Sequence, residues 1–144
     1  MKKYELLKDD TKEVSGHTLY RIKALRDFGN VEKGDLGGYI ESENNLSHYG
    51  NAWVFGDANV YGNAEVYGNA VIKSTEDYIV FKNNWSSGRY FTYTKSNKMW
   101  KVGCFYGTGQ ELIEKAYADS ELSGKCYEAY VKLVEQLEEI QEVE

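Results

Sequence analysis

The 144-residue chain contains no proline, against an average of about 5%. Its turns therefore fall to Gly, Asn, Asp and Ser. It has two cysteines, Cys104 and Cys126, too few for a multi-bridge framework, and they read as thiols of a reducing cytosol. Its two histidines, His17 and His48, stand far apart. There is no Cys-x-x-Cys and no pair of histidines four residues apart, so no metal site is expected. No P-loop or dinucleotide fingerprint occurs, and no cofactor is expected. No apolar run reaches the roughly 20 residues that a membrane span needs. The start, Met1-Lys2-Lys3-Tyr4-Glu5, lacks the apolar stretch of a signal peptide, so a cytoplasmic location is expected.

Hydrophobic residues make up 42% and charged residues 28%, the balance of a soluble globular chain of one domain or two small packed ones. The net charge is −6, from 17 basic and 23 acidic residues. Five of the excess acids lie in residues 135–144, which hold no Lys or Arg. Residues 78–110 contain no acid at all, against Lys82, Arg89, Lys95, Lys98 and Lys101. An acidic chain thus carries a local basic stretch, whose sign is what a ligand meets.

A tandem repeat occupies the middle. Tyr49-Gly50-Asn51-Ala52-Trp53-Val54 recurs three times without a gap, as Phe55–Val60, Tyr61–Val66 and Tyr67–Ile72. Each unit reads aromatic, Gly, Asn or Asp, Ala, any residue, Val or Ile. Ala and Val two apart share one face of an extended chain and point inward together. Gly before Asn or Asp permits positive φ and a corner in every unit.

This pattern resembles the hexapeptide-repeat left-handed β-helix family, although in that family Gly directly follows the aliphatic residue, whereas here an aromatic intervenes (Val54-Phe55-Gly56). The wider stretch Leu25-Arg26-Asp27-Phe28-Gly29-Asn30-Val31, Gly34-Asp35-Leu36-Gly37-Gly38-Tyr39-Ile40 and Asn45-Leu46-Ser47 resembles small phage and prophage proteins with a β cap on a short hexapeptide helix. The likeness covers roughly residues 1–106. It implies a location in a host bacterial cytoplasm and assembly of subunits about a threefold axis. The hexapeptide acyltransferases place a histidine between subunits beside a coenzyme A groove. Here His48 reads as a rim residue at the edge of the repeat, and no enzyme activity is expected.

The fold class expected is mostly β with C-terminal helices. A β-hairpin cap and entry to the solenoid would occupy residues 1–48, with strands at Tyr4–Leu7 and Leu19–Leu25, a polar turn containing Gly16, and Gly37-Gly38 as the turn into the solenoid. A left-handed hexapeptide β-helix would occupy residues 49–72, and an antiparallel three-stranded meander plus two helices residues 73–144. The meander strands are expected at Tyr78–Lys82, Arg89–Thr94 and Met99–Tyr106. Thr108-Gly109-Gln110-Glu111 has the form of a capping box, and Ser123-Gly124 divides the two helices. Cys126, Tyr127, Tyr130, Val131, Val134, Leu137 and Ile140 then recur at helical spacing.

Two sets of candidate residues follow. The outward aromatics Tyr49, Phe55, Tyr61 and Tyr67 would form an oligomer interface. In the acid-free segment, nine aromatics interleave with five cations. Flat rings stack bases, and Arg or Lys pairs phosphate. A helix start at Gly109 offers free N–H groups to an anion. The candidate ligand-binding residues are Trp85, Ser87, Arg89, Tyr93, Lys98, Trp100, Lys101, Thr108 and Gly109. The expected function is a phage-encoded counter-defence protein that sequesters a small anionic, nucleotide-like signal. The alternative is a scaffold that binds and inhibits a host defence protein through its aromatic face or C-terminal helix. Five cations on a chain of net charge −6 argue against binding duplex nucleic acid.

Overall fold

The computed structural model describes residues 2–142; the last two residues of the acidic stretch 135–144 lie outside the described residues. β1 (Tyr4–Val14) and β2 (His17–Ala24) form an antiparallel hairpin. Ser15 and Gly16 turn it, with φ of 50° and 82°. The polar run after Leu7 is therefore strand and not turn. It stays extended through a register shift between Leu7 and Thr11, and Lys8 and Lys12 lie over the rings of Tyr20 and Tyr39.

β3 (Leu36–Ile40) runs antiparallel to β2. Gly37 and Gly38 lie buried within it and make no turn. A Cβ on Gly37 would stand 2.6 Å from the Val54 carbonyl oxygen, and one on Gly38 2.6 Å from that of Ala58. The pair exists so that neighbouring backbone can come this close.

The repeat does not form a parallel left-handed β-helix. Its strands β4 (Trp53–Val54), β5 (Asn59–Val60) and β6 (Val71–Ile72) are two residues long. Parallel pairing is confined to β3 with β5, β4 with β6, and a bridge between Leu46 and Val66. The sheet that holds β5 has the order β1-β2-β3-β5, so it is mixed and mostly antiparallel. The local reason lies in each unit. Gly50, Gly56, Gly62 and Gly68 all take positive φ, and the corner leaves little chain for a ladder. The Ala and Val columns do point inward. Ala52, Ala58, Ala64 and Ala70 join Val54, Val60, Val66 and Ile72 in one core with Tyr4, Ile22, Ile40 and Trp53.

One-turn 3-10 helices stand on either side of the repeat, at Glu43–Asn45 and Thr75–Asp77, capped by Ser42 and Ser74 in the same two-way manner. Then come β7 (Tyr78–Lys82), β8 (Tyr90–Thr94), β9 (Met99–Val102) and β10 (Phe105–Thr108). They form an antiparallel sheet in the order β10-β9-β8-β7. The meander has four strands where three were expected, because Gly103, at a φ of 56°, folds the run Met99–Tyr106 back on itself.

α1 (Gly109–Asp119) and α2 (Glu121–Glu142) complete a mixed α+β fold. The break falls at the extended Ser120, whose hydroxyl accepts the Ser123 N–H at 3.1 Å. Gly124 lies inside α2, where the Tyr117 ring stands 2.3 Å from the site of a Cβ. At the start of α1, Glu111 N–H donates to the Thr108 hydroxyl at 3.2 Å, and Thr108 N–H donates to the Glu111 carboxylate at 2.8 Å. Thr108→Ala is expected to cost about 1 kcal/mol, read as a lower urea midpoint.

β8 is the middle of the molecule. Phe91 and Tyr93, with Trp100 of β9, pack on Leu112, Ala116, Tyr127, Val131 and Val134 of the helices. The alternate residues face the repeat. The Thr92 hydroxyl accepts the Glu65 N–H at 3.0 Å, and the Lys101 ammonium lies 4.6 Å over the Tyr67 ring.

Candidate functional site

The nine candidate ligand residues separate into three groups. The strand period of two does the sorting. Tyr93 pairs with Trp100 across β8 and β9, and Thr92 pairs with Lys101. One couple therefore faces the helices and the other the repeat.

Tyr93, Lys98, Trp100, Thr108 and Gly109 line one cavity of about 300 Å³ beneath α2. Trp100 and Tyr93 form its floor and are 1% and 3% exposed. Its far wall is acidic, carrying Glu135 and Glu138. The Tyr93 hydroxyl donates to Glu138 at 2.8 Å, and Lys98 pairs with the same carboxylate at 3.2 Å. Burial and the Glu138 carboxylate hold the Tyr93 phenol well above its usual range. The start of α1 is already occupied by the Glu111 carboxylate. The lining of this cavity thus sets two carboxylates, Glu135 and Glu138, against one ammonium, Lys98.

Trp85 and Lys101 line neither this cavity nor the next. The Trp85 indole donates to Ser123 at 3.1 Å and packs edge-on to Tyr127 at 4.9 Å, which fastens the start of α2 to the sheet. Lys101 is 8% exposed, and its ammonium donates to the Gly103 carbonyl.

Ser87 and Arg89 line a third region. With Gly88 and Tyr90 they form one wall of an open cleft of about 500 Å³, and Asn44, Asn63, Ala64 and Glu65 form the other. The loop is held from below: the Asn83 side-chain oxygen accepts the Trp85 and Ser86 N–H groups at 3.0 and 2.9 Å. The Ser87 hydroxyl accepts the Arg89 N–H at 3.1 Å, and Asn83 N–H donates to the Arg89 carbonyl at 2.9 Å. The guanidinium lies across Gly103, where a Cβ would be 2.3 Å from Nη1. Gly103 thus serves both the turn and the seat of Arg89. No ion pair among the described residues involves Arg89. Tyr90 is 40% exposed and offers a ring at the edge of the cleft.

A second cationic cleft, of about 640 Å³, is lined by Lys2, Arg26, His48 and Tyr49. Here the charges are partly answered. Glu43 pairs with both Lys2 at 3.1 Å and His48 at 2.7 Å, and these two partners lower its pKa. Arg26 donates to the His48 carbonyl at 3.0 Å. Sequence reasoning missed this site because Lys2 and Arg26 come from the cap and meet His48 only through the fold.

Of the four rings expected at an interface, Tyr49 is 85% exposed. The other three are half-buried: Phe55 packs against the repeat core, Tyr61 on His17 at 5.0 Å and Tyr67 on Tyr106 at 6.3 Å. Among the described residues, no group of three or more His, Cys, Asp or Glu is placed to hold a metal ion, and no helix is long and apolar enough to cross a membrane. The sequence matches no protein-family model and no curated protein.

Proposed function

We propose that the chain is a non-enzymatic binding protein that holds a small anionic, nucleotide-like ligand in the Arg89 cleft. The observation that carries this reading is Arg89, which makes no ion pair among the described residues and lines a cleft of about 500 Å³ whose one carboxylate is Glu65 on the opposite wall. Ser87, Asn44 and Asn63 add hydrogen-bonding side chains, and Tyr90 adds a surface for a base. An Arg fork matches a phosphate, and a ring stacks a base. The likeness of residues 1–106 to phage proteins supports a role in counter-defence in a host cytoplasm, where sequestering a signal nucleotide would silence it.

A second reading, inhibition of a host defence protein by direct contact, is favoured by the exposed Tyr49 ring beside Arg26 and Lys2.

The test is thermal unfolding with AMP, ADP, cyclic dinucleotides and inorganic phosphate in turn. A ligand at about 100 times its Kd is expected to raise Tm by about 5–10 °C. Arg89→Ala is expected to weaken binding about 10- to 100-fold, while Arg26→Ala leaves it intact. No shift with any nucleotide, or an unaltered shift in Arg89→Ala, would overturn the assignment.

A further inference from the structure

Glu65 stands at the fifth position of the third hexapeptide, where the other units carry Trp53, Asn59 and Val71. That position varies from unit to unit, so the repeat itself asks for no charge there. Glu65 instead lines the Arg89 cleft, on the wall opposite Arg89. Neither residue makes an ion pair among the described residues. One cleft thus presents a carboxylate and a guanidinium on separate walls.

Both walls are built on fixed backbone. The Glu65 N–H donates to the Thr92 hydroxyl at 3.0 Å. The buried Asn45 side chain donates to the carbonyls of Gly62 and Ala64, at 3.1 and 2.8 Å. These bonds hold the chain on either side of Asn63, which lines the same wall. Across the cleft, the Ser87 hydroxyl and the Asn83 N–H hold the backbone of Arg89. A ligand that spans the two walls therefore orders little of the protein on binding.

Resting on the nucleotide reading above, we propose that this cleft selects guanine. An ionised carboxylate accepts hydrogen bonds and donates none, and its two oxygens can take two donors side by side. Guanine presents two such donors together, its ring N–H and the adjacent amino group. Adenine and cytosine each set one amino group beside a ring acceptor, and uracil sets one N–H between two carbonyls. Glu65 therefore accepts from the guanine edge while Arg89 takes the phosphate and the Tyr90 ring stacks the base. The Asn63 amide is placed on the Glu65 wall to donate to the guanine carbonyl. A cleft of about 500 Å³ has the size of a small-ligand site.

Isothermal titration calorimetry of the full chain with GMP, IMP and AMP tests it. GMP is expected to bind about 10- to 100-fold more tightly than AMP. IMP lacks the amino group and is expected to bind about tenfold more weakly than GMP, a comparison that needs no variant. Glu65→Gln keeps the shape but swaps an acceptor for a donor, and is expected to bring GMP and AMP within about threefold of each other. GMP no tighter than AMP overturns the guanine assignment. So does IMP equal to GMP, or a preference that survives Glu65→Gln. If GMP and AMP bind equally and Arg89→Ala weakens both, the guanine assignment alone falls. If neither binds, the nucleotide reading falls with it.

Discussion

Gly50→Ala is expected to remove about 2–5 kcal/mol of stability, while the same change at Gly56 or Gly62 removes about 1–2 kcal/mol. All three glycines hold the same position in the hexapeptide and have φ of 72°, 59° and 67°. Each therefore bears the backbone cost of a left-handed alanine. Only Gly50 adds a collision. Its Cβ would stand 2.5 Å from the Gly68 carbonyl oxygen, whereas those of Gly56 and Gly62 meet nothing within 4 Å. The Gly68 carbonyl cannot turn aside easily, because it accepts the N–H groups of both Asn51 and Ala52, at 3.0 and 2.9 Å. Urea midpoints of the three variants measure the difference. Equal losses at all three positions would contradict the packing of the first hexapeptide on the fourth.

Stability is also expected to rise with pH between about pH 8 and pH 10, and Lys3 is the cause. Its side chain is fully buried. The ammonium donates to the carbonyls of Ala52 at 2.7 Å and Gly50 at 3.4 Å, and it lies 5.0 Å over the Phe28 ring. No carboxylate pairs with it among the described residues. Burial first, and the charge of Arg26 second, lower its pKa from 10.5 to about 8. In this window the unfolded chain holds a proton that the folded chain has lost, so folding gains as pH rises. The full range is worth on the order of 3 kcal/mol. Above about pH 10 the sign reverses. Tyr4, Tyr78 and Tyr93 are held above the ordinary tyrosine value of 10.0, with Tyr78 at about 12, and the unfolded chain ionises first. Stability should therefore peak near pH 10 and fall beyond it. In Lys3→Met the rise is expected to vanish while the fall remains. Guanidinium titrations at half-unit pH steps would show it, and a rise retained in Lys3→Met would remove Lys3 as its source.

The inward Ala and Val columns, the N-terminal hairpin and the capping box at Thr108 were legible, because each is a local matter of period or cap. The pairing of the repeat was not. Ala and Val two apart specify an inward face, but not which strand lies alongside. Gly37 and Gly38 show the same limit, since a glycine pair reads as a turn until the neighbouring backbone is in place. For the candidate site, residue types alone gathered rings and cations into one group. The alternation that divides them was present in the sequence: Tyr93 and Thr92 are adjacent and must face opposite ways. Glu138 was legible too, as it follows Val131 and Val134 on one face of α2 at helical spacing. What no local pattern carried was the union of Asn44 and Asn63 with Arg89, or of Arg26 with His48, each made by segments distant in sequence.

Because β8 is covered by helices on one side and by the repeat on the other, neither cover can be trimmed away cleanly. Deleting residues 109–142 would lay Phe91, Tyr93 and Trp100 open to water as one aromatic sheet surface, a template for clumping. Deleting the repeat would strand Lys101 and the threonines of β8. A shortened version of this protein is therefore a poor reagent, and fragments are better designed by substitution within the whole chain.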